Sequence, residues 1–121
     1  GIYYEPGSLK ARLCVEGLEL SYKYFEEKGI PYKRCGKLII ATSEEELPRL
    51  DKLYQRGIAN GVKDLVYLEV EEFKKIEPHC TGVRAIHSPH TGIVDWGLVA
   101  THYAEDVRAM GGEVFLGHEV V

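Results

Sequence analysis

Residues Lys37–Gly61 read KLIIATSEEELPRLDKLYQRGIANG, and the period of the apolar side chains changes part-way along. Lys37–Thr42 is a short apolar run, the pattern of an inner β-strand. Ser43 with Glu46 three residues later fits a capping box, after which Leu47, Leu50, Tyr54 and Ile58 keep to one helical face as far as Asn60-Gly61. Pro48 stands deep for a first turn, so the helix is expected to begin a residue or two after the cap. A strand that runs into an amphipathic helix is the unit of an alternating fold.

The alternation extends both ways from this unit. Upstream, Pro6-Gly7 breaks the chain and Ser8 is a good N-cap for the helix that follows. Leu9, Leu13, Gly17, Leu20 and Tyr24 form one apolar row on it, and Cys14, Leu18, Tyr22 and Phe25 form a second. Two rows predict a wide buried stripe, with Gly29 as the C-terminal stop. Downstream, Leu65–Val70 reads as a strand, Glu71–Ile76 as a short helix ended by Pro78, and Val83–His87 as another strand. Asp95 caps a helix whose expected buried face is Trp96, Val99, Tyr103, Val107 and Met110. Gly111-Gly112 ends it, and Glu113–Leu116 resumes a strand. The expected fold is therefore α/β with α+β character, a mixed sheet with helices packed on it.

Composition narrows the function classes. A net charge of −4 over 121 residues leaves no basic footprint, which argues against a nucleic-acid partner. Cys14, Cys35 and Cys80 are odd in number and widely spaced, so they read as reduced, buried thiols rather than a disulfide frame. The first residues, Gly1-Ile2-Tyr3-Tyr4, and the last, Glu119-Val120-Val121, read as cut ends, as in an internal fragment of a larger protein.

No G-x-G-x-x-G follows a strand, and there is no P-loop, G-x-S-x-G elbow or H-E-x-x-H. His79, Cys80, His87 and His90 make the densest group of potential ligands, but their spacing matches no standard zinc module, and no metal is expected. His90 stands apart from the others. It lies between Pro89 and Thr91-Gly92, a few residues before a helix N-terminus. A neutral imidazole there accepts a proton and a charged one pairs with a carboxylate; the alternative is a loop histidine with no role. Tyr3 and Tyr4 precede the start of the Ser8 helix, where backbone N–H groups can hold an anion; the alternative for a tyrosine is packing. Lys10, Lys37 and Arg84 are either carboxylate partners or solvated side chains. Asp95 reads as a cap and Trp96 as a core anchor.

Taken together and in order, GIYYEPGSLKARLCVEG, CGKLIIAT, IEPHCTG and SPHTGIVDWGLVA resemble the L-2-hydroxyglutarate dehydrogenases, flavoproteins of the D-amino-acid-oxidase-like superfamily. The forms LCVEG and HTGIVD are more similar to the mitochondrial, eukaryotic members than to the bacterial oxidases. The resemblance implies FAD as cofactor, a 2-hydroxy dicarboxylate as substrate, a mitochondrial location and a two-domain FAD/NAD(P)-binding-type architecture. It places residues 1–36 in the flavin domain, 37–94 in the substrate domain, with Ile39–Ala41 and Val83–Ile86 as its strands, and 95–121 back in the flavin domain. It further implies His90 as catalytic base, Tyr3, Tyr4, Lys10, Thr91 and Gly92 on the substrate side, and Ser8 and Val120 toward the cofactor. Quinone, an electron-transfer flavoprotein and oxygen stay open as electron acceptor, as does peripheral membrane association of the parent. With the glycine-rich fingerprint absent, these residues alone are not expected to hold FAD tightly. The rival reading is a free-standing α/β module that binds a small carboxylate or is purely structural.

Overall fold

Helix α1 (Leu9–Lys28) starts where the sequence supplies its cap: Ser8 is extended and its hydroxyl accepts the Ala11 N–H at 3.2 Å. It stops at Gly29, whose φ of 66° is left-handed and cheap only for glycine. The computed structural model describes residues 1–121, and after α1 it contains β1 (Tyr32–Lys33), β2 (Lys37–Ala41), a 3-10 turn (Glu44–Glu46), α2 (Leu47–Ala59), β3 (Val66–Leu68), α3 (Val70–Ile76), β4 (Arg84–Ser88), β5 (Ile93–Val94) and α4 (Trp96–Ala109).

The main sheet has the order β2-β4-β3, with β4 antiparallel to both neighbours. β2 and β3 thus run in the same direction, joined through α2, and β4 slots between them as in a split β-α-β unit. Every pair is antiparallel, where the sequence reading expects a mixed sheet; the strand inserted between β2 and β3 keeps the two parallel ones apart. In register, Lys37 faces Ser88, Ile39 faces Ile86 and Tyr67 also faces Ile86. A second ribbon pairs Tyr32 with Val94 and Lys33 with Ile93.

Two cores follow from this layout. Ile2, Ala41, Leu50, Leu65 and Ile86 form one, between α2 and the sheet. Tyr22, Phe25, Ile30 and Val99 form the other, where α1 meets α4. α3 packs against β3 and β4, and its Phe73 is wholly buried.

Several sequence expectations need correction. Ser43 makes no capping bond; instead the Glu46 carboxylate turns back onto the Thr42 N–H and hydroxyl at 2.7 and 2.8 Å. That contact winds a 3-10 turn first, and α2 opens later, with Pro48 in its first turn. The capping box lies instead at Glu69 and Glu72, at the head of α3. The apolar stripes of α1 and α4 are only partly covered. Leu9, Leu13 and Leu20 are exposed, and of the α4 face Val99 alone is buried while Trp96 is 62% exposed. Helical periodicity reports which face is apolar, not whether residues 1–121 supply its cover. Cys14 and Cys35 are exposed and Cys80 is half-buried; all three are free thiols. Glu113–Leu116 and Val120 form no strand, since no strand edge reaches them.

Candidate functional site

The turn after β4 is held by hydrogen bonds from several parts of the chain. The Thr91 N–H donates to the Ser88 carbonyl at 3.4 Å, and the Thr91 hydroxyl donates to the Ser88 hydroxyl at 3.1 Å. The Gly36 N–H donates to the Thr91 carbonyl at 2.8 Å, tying the turn to the start of β2. From below, the Tyr22 hydroxyl donates to the His90 carbonyl at 2.7 Å. Burial raises the Tyr22 phenol above its ordinary pKa, with the Arg34 guanidinium over its ring opposing, so it stays a donor at neutral pH. Gly92 follows because nothing larger fits: a Cβ would sit 2.8 Å from the Lys33 carbonyl oxygen and against the Tyr22 hydroxyl.

These bonds present the His90 imidazole to Asp64, with Nε2 2.6 Å from Oδ2. Asp64 reaches it from the α2–β3 connection with a φ of 55°, a left-handed conformation that Asp tolerates better than most residues. With Nε2–H donated to the carboxylate, Nδ1 carries the lone pair, which is the arrangement of an oriented base.

Beside the turn lies a cleft of about 550 Å³. Its lining includes the apolar Ile2, Val15, Leu18 and Val62 and the polar Tyr3, Glu16, Glu19, Lys37, Ser88, His90 and Thr91. The Gly1–Glu5 segment is clamped from α2. Arg56 donates to the Tyr3 carbonyl at 3.0 Å and pairs with Glu5 at 3.0 Å, while the Asn60 amide donates to the Gly1 and Tyr4 carbonyls at 2.6 and 2.9 Å.

Of the residues singled out from sequence, Tyr3, Lys37, His90 and Thr91 come together in this cleft. Tyr4, Ser8, Lys10, Gly92 and Val120 do not line it. Ser8 spends its hydroxyl on the α1 cap, Lys10 is exposed on that helix, Gly92 lies beneath the His90 turn, and Val120 is almost fully exposed. Arg84 is paired with Glu69 at 3.2 Å, away from the cleft. His79, Cys80, His87 and His90 do not form a group of metal-ligand geometry. Asp64, Ser88, Tyr22 and the Arg56–Asn60 clamp escaped the sequence reading. Asp64 is 26 positions from His90, and no local pattern links the two.

α2, α3 and α4 open on Glu46, Glu69 and Asp95, whose carboxylates repel a phosphate, whereas α1 opens on Ser8 with no acidic residue in its first turn. No glycine-rich strand-to-helix turn of a dinucleotide site is present. The cleft combines apolar and polar lining residues, as ligand sites commonly do.

The model of one protein family, FAD dependent oxidoreductase, matches residues 1–121. The chain belongs to that family. Among its relatives within this flavoprotein family, the mitochondrial L-2-hydroxyglutarate dehydrogenase of Nematostella vectensis is 58% identical over 99% of the chain and 26% of the relative. Its namesake in Homo sapiens is 53% identical over 99% of the chain and 26% of that protein. That of Caenorhabditis elegans is 51% identical over 98% of the chain and 27% of its own length. The chain thus spans about a quarter of these relatives. Of solved structures, the dithionite-reduced L-alpha-glycerophosphate oxidase of Mycoplasma pneumoniae with FAD bound superposes with a TM-score of 0.83 at 27% identity, over 94% of this chain and 31% of that one. The L-proline dehydrogenase of P. horikoshii does so at 0.79 and 26% identity, over 91% and 30%. The flavoprotein resemblance read from the motifs holds over the whole chain.

Proposed function

We propose that this chain is part of a mitochondrial flavoprotein that oxidises L-2-hydroxyglutarate to 2-oxoglutarate, with His90 as its base. The observation that carries the reading is the shared name of relatives that match practically the whole chain. The His90–Asp64 pair in the cleft supports it chemically. Oxidising a secondary alcohol breaks an O–H and a C–H bond and forms a C=O bond. His90 Nδ1 takes the hydroxyl proton, and Asp64 balances the imidazolium that results. The α-hydrogen leaves with its electron pair. Bound FAD supplies the acceptor for that hydride. Tyr3 and Thr91, which line the cleft, offer hydroxyls to the substrate.

The proposed division into residues 1–36, 37–94 and 95–121 is supported by the two cores. The α1–α4 core draws on the first and last stretches, the α2–sheet core on the middle one together with Ile2. The β1–β5 ribbon joins the chain near both crossings.

Anaerobic mixing of the full-length flavoprotein with L- and D-2-hydroxyglutarate tests the function. The L-isomer alone is expected to bleach the flavin absorbance, and His90→Ala to slow bleaching by about a hundredfold or more. Intact flavin with both isomers would move the substrate elsewhere.

A further inference from the structure

Two lysines line the cleft, and they differ in their surroundings. Lys63 pairs with Glu19 at 3.7 Å. Lys37 has no carboxylate within ion-pair distance, and its ammonium lies 4.6 Å from the centroid of the Tyr3 ring. A cation on an aromatic face keeps its charge and its donors, yet is held where its long stem would otherwise wander. The main chain that carries the ring is held in turn, since Arg56 and Asn60 grip the carbonyls of Gly1, Tyr3 and Tyr4.

Lys37 also has a definite place relative to the base. It stands opposite Ser88 across the β2–β4 pair, and His90 lies in the tight turn that Ser88 begins. The two side chains therefore spring from backbones one strand spacing plus part of a turn apart. Lys37 and His90 also line the same cleft, so one bound substrate can meet both. A five-carbon diacid is long enough to set its hydroxyl at His90 and its far carboxylate at Lys37.

We propose that Lys37, seated on Tyr3, is the specificity group for the distal carboxylate of the substrate, so that the cleft selects 2-hydroxy diacids over 2-hydroxy monoacids. The inference rests on the function proposed above and adds the residue that reads the second acid group. The carboxylate is bound equally in the ground and transition states, so its loss belongs in KM rather than in kcat.

The test uses the full-length flavoprotein and its Lys37→Gln and Lys37→Arg variants, with L-2-hydroxyglutarate and L-2-hydroxypentanoate, which has the same carbon skeleton and no distal carboxylate. Lys37→Gln is expected to raise KM for the diacid by about tenfold or more and to change kcat by about twofold at most. The diacid-to-monoacid ratio of kcat/KM should fall by the same factor, and Lys37→Arg should restore most of it. Where the monoacid is not turned over, its inhibition constant against the diacid serves as the reference, and Lys37→Gln should leave that constant within about twofold. An unchanged KM in Lys37→Gln with full flavin content overturns the proposal. So does an equal loss against both acids, which would put Lys37 at the shared carboxylate or in the scaffold. A wild-type enzyme whose flavin L-2-hydroxyglutarate does not reduce defeats the underlying function instead.

Discussion

Asp64 is the residue on which the reading of the site turns. Its carboxylate touches the one imidazole that faces the cleft, and its left-handed backbone is the local cost of reaching it. Asp64→Asn keeps the shape but removes the charge that balances a protonated imidazole. In the full-length enzyme this variant is expected to lower kcat by about tenfold to a hundredfold, with KM nearly unchanged and flavin content intact. Rapid-reaction measurement of flavin reduction checks it; a wild-type rate would leave His90 working without Asp64. At this scale the sequence was legible only where a residue announced its own surroundings. Ser8 and Asp95 were readable as caps, and His90 stood out between Pro89 and Thr91-Gly92. Asp64 carried no such local signal, because its partner is remote along the chain.

Between elements, the contact of α1 with α4 shows how a polar clamp supplements a small core. Asp106 on α4 accepts the Tyr24 hydroxyl at 2.7 Å and pairs with the Lys28 ammonium, both on α1. The Lys28 and Tyr24 hydrogen bonds hold the Asp106 carboxyl below the usual range. Desolvation, then the bond to Asp106, pushes the Tyr24 phenol up to about 12. The signs of the two shifts are opposite. A depressed carboxyl contributes stability above its unfolded pKa, about 3.9, and loses it as pH falls further; a raised phenol contributes below its unfolded value, about 10, and loses it toward 12. The clamp is therefore complete from about pH 5 to about pH 9. Asp106→Asn should lower the melting temperature within that window and flatten both flanks, while Tyr24→Phe should flatten the alkaline flank and only part of the acid one, where Lys28 still holds Asp106 down. Melting curves across pH 3 to 11 decide this, and a variant that falls as steeply in acid as the wild type would show that other carboxylates carry the acid limb. Element types were legible because α2 carries a strong helical period, α1 and α4 have clear caps and stops, and β2 is a short apolar run. The pairing was not: nothing local in Arg84–Ser88 says that it enters between β2 and β3.

For the whole molecule, the informative surface is the one left open. Leu9, Leu13 and Leu20 on α1 and Trp96 and Met110 on α4 are exposed, more apolar side chains than two helices of a free-standing domain usually show to water. The periodicity that predicted these faces to be buried was sound about their chemistry; their cover is not supplied by residues 1–121, a quarter of the length of the relatives. A dinucleotide's phosphates would find no glycine-rich strand-to-helix turn in these residues, and acidic caps at three of the four α-helices. The isolated 121-residue chain is accordingly expected to lose FAD on gel filtration, and stoichiometric retention would contradict the assignment of the phosphate site elsewhere. Met110 reports on the surface, since it is the sole methionine of the chain and 80% exposed. If the remaining polypeptide covers α4, peroxide should convert Met110 to the sulfoxide about tenfold more slowly in the full-length flavoprotein than in the isolated chain, as read by peptide mass spectrometry. Equal rates would mean that the α4 face stays open in the whole enzyme.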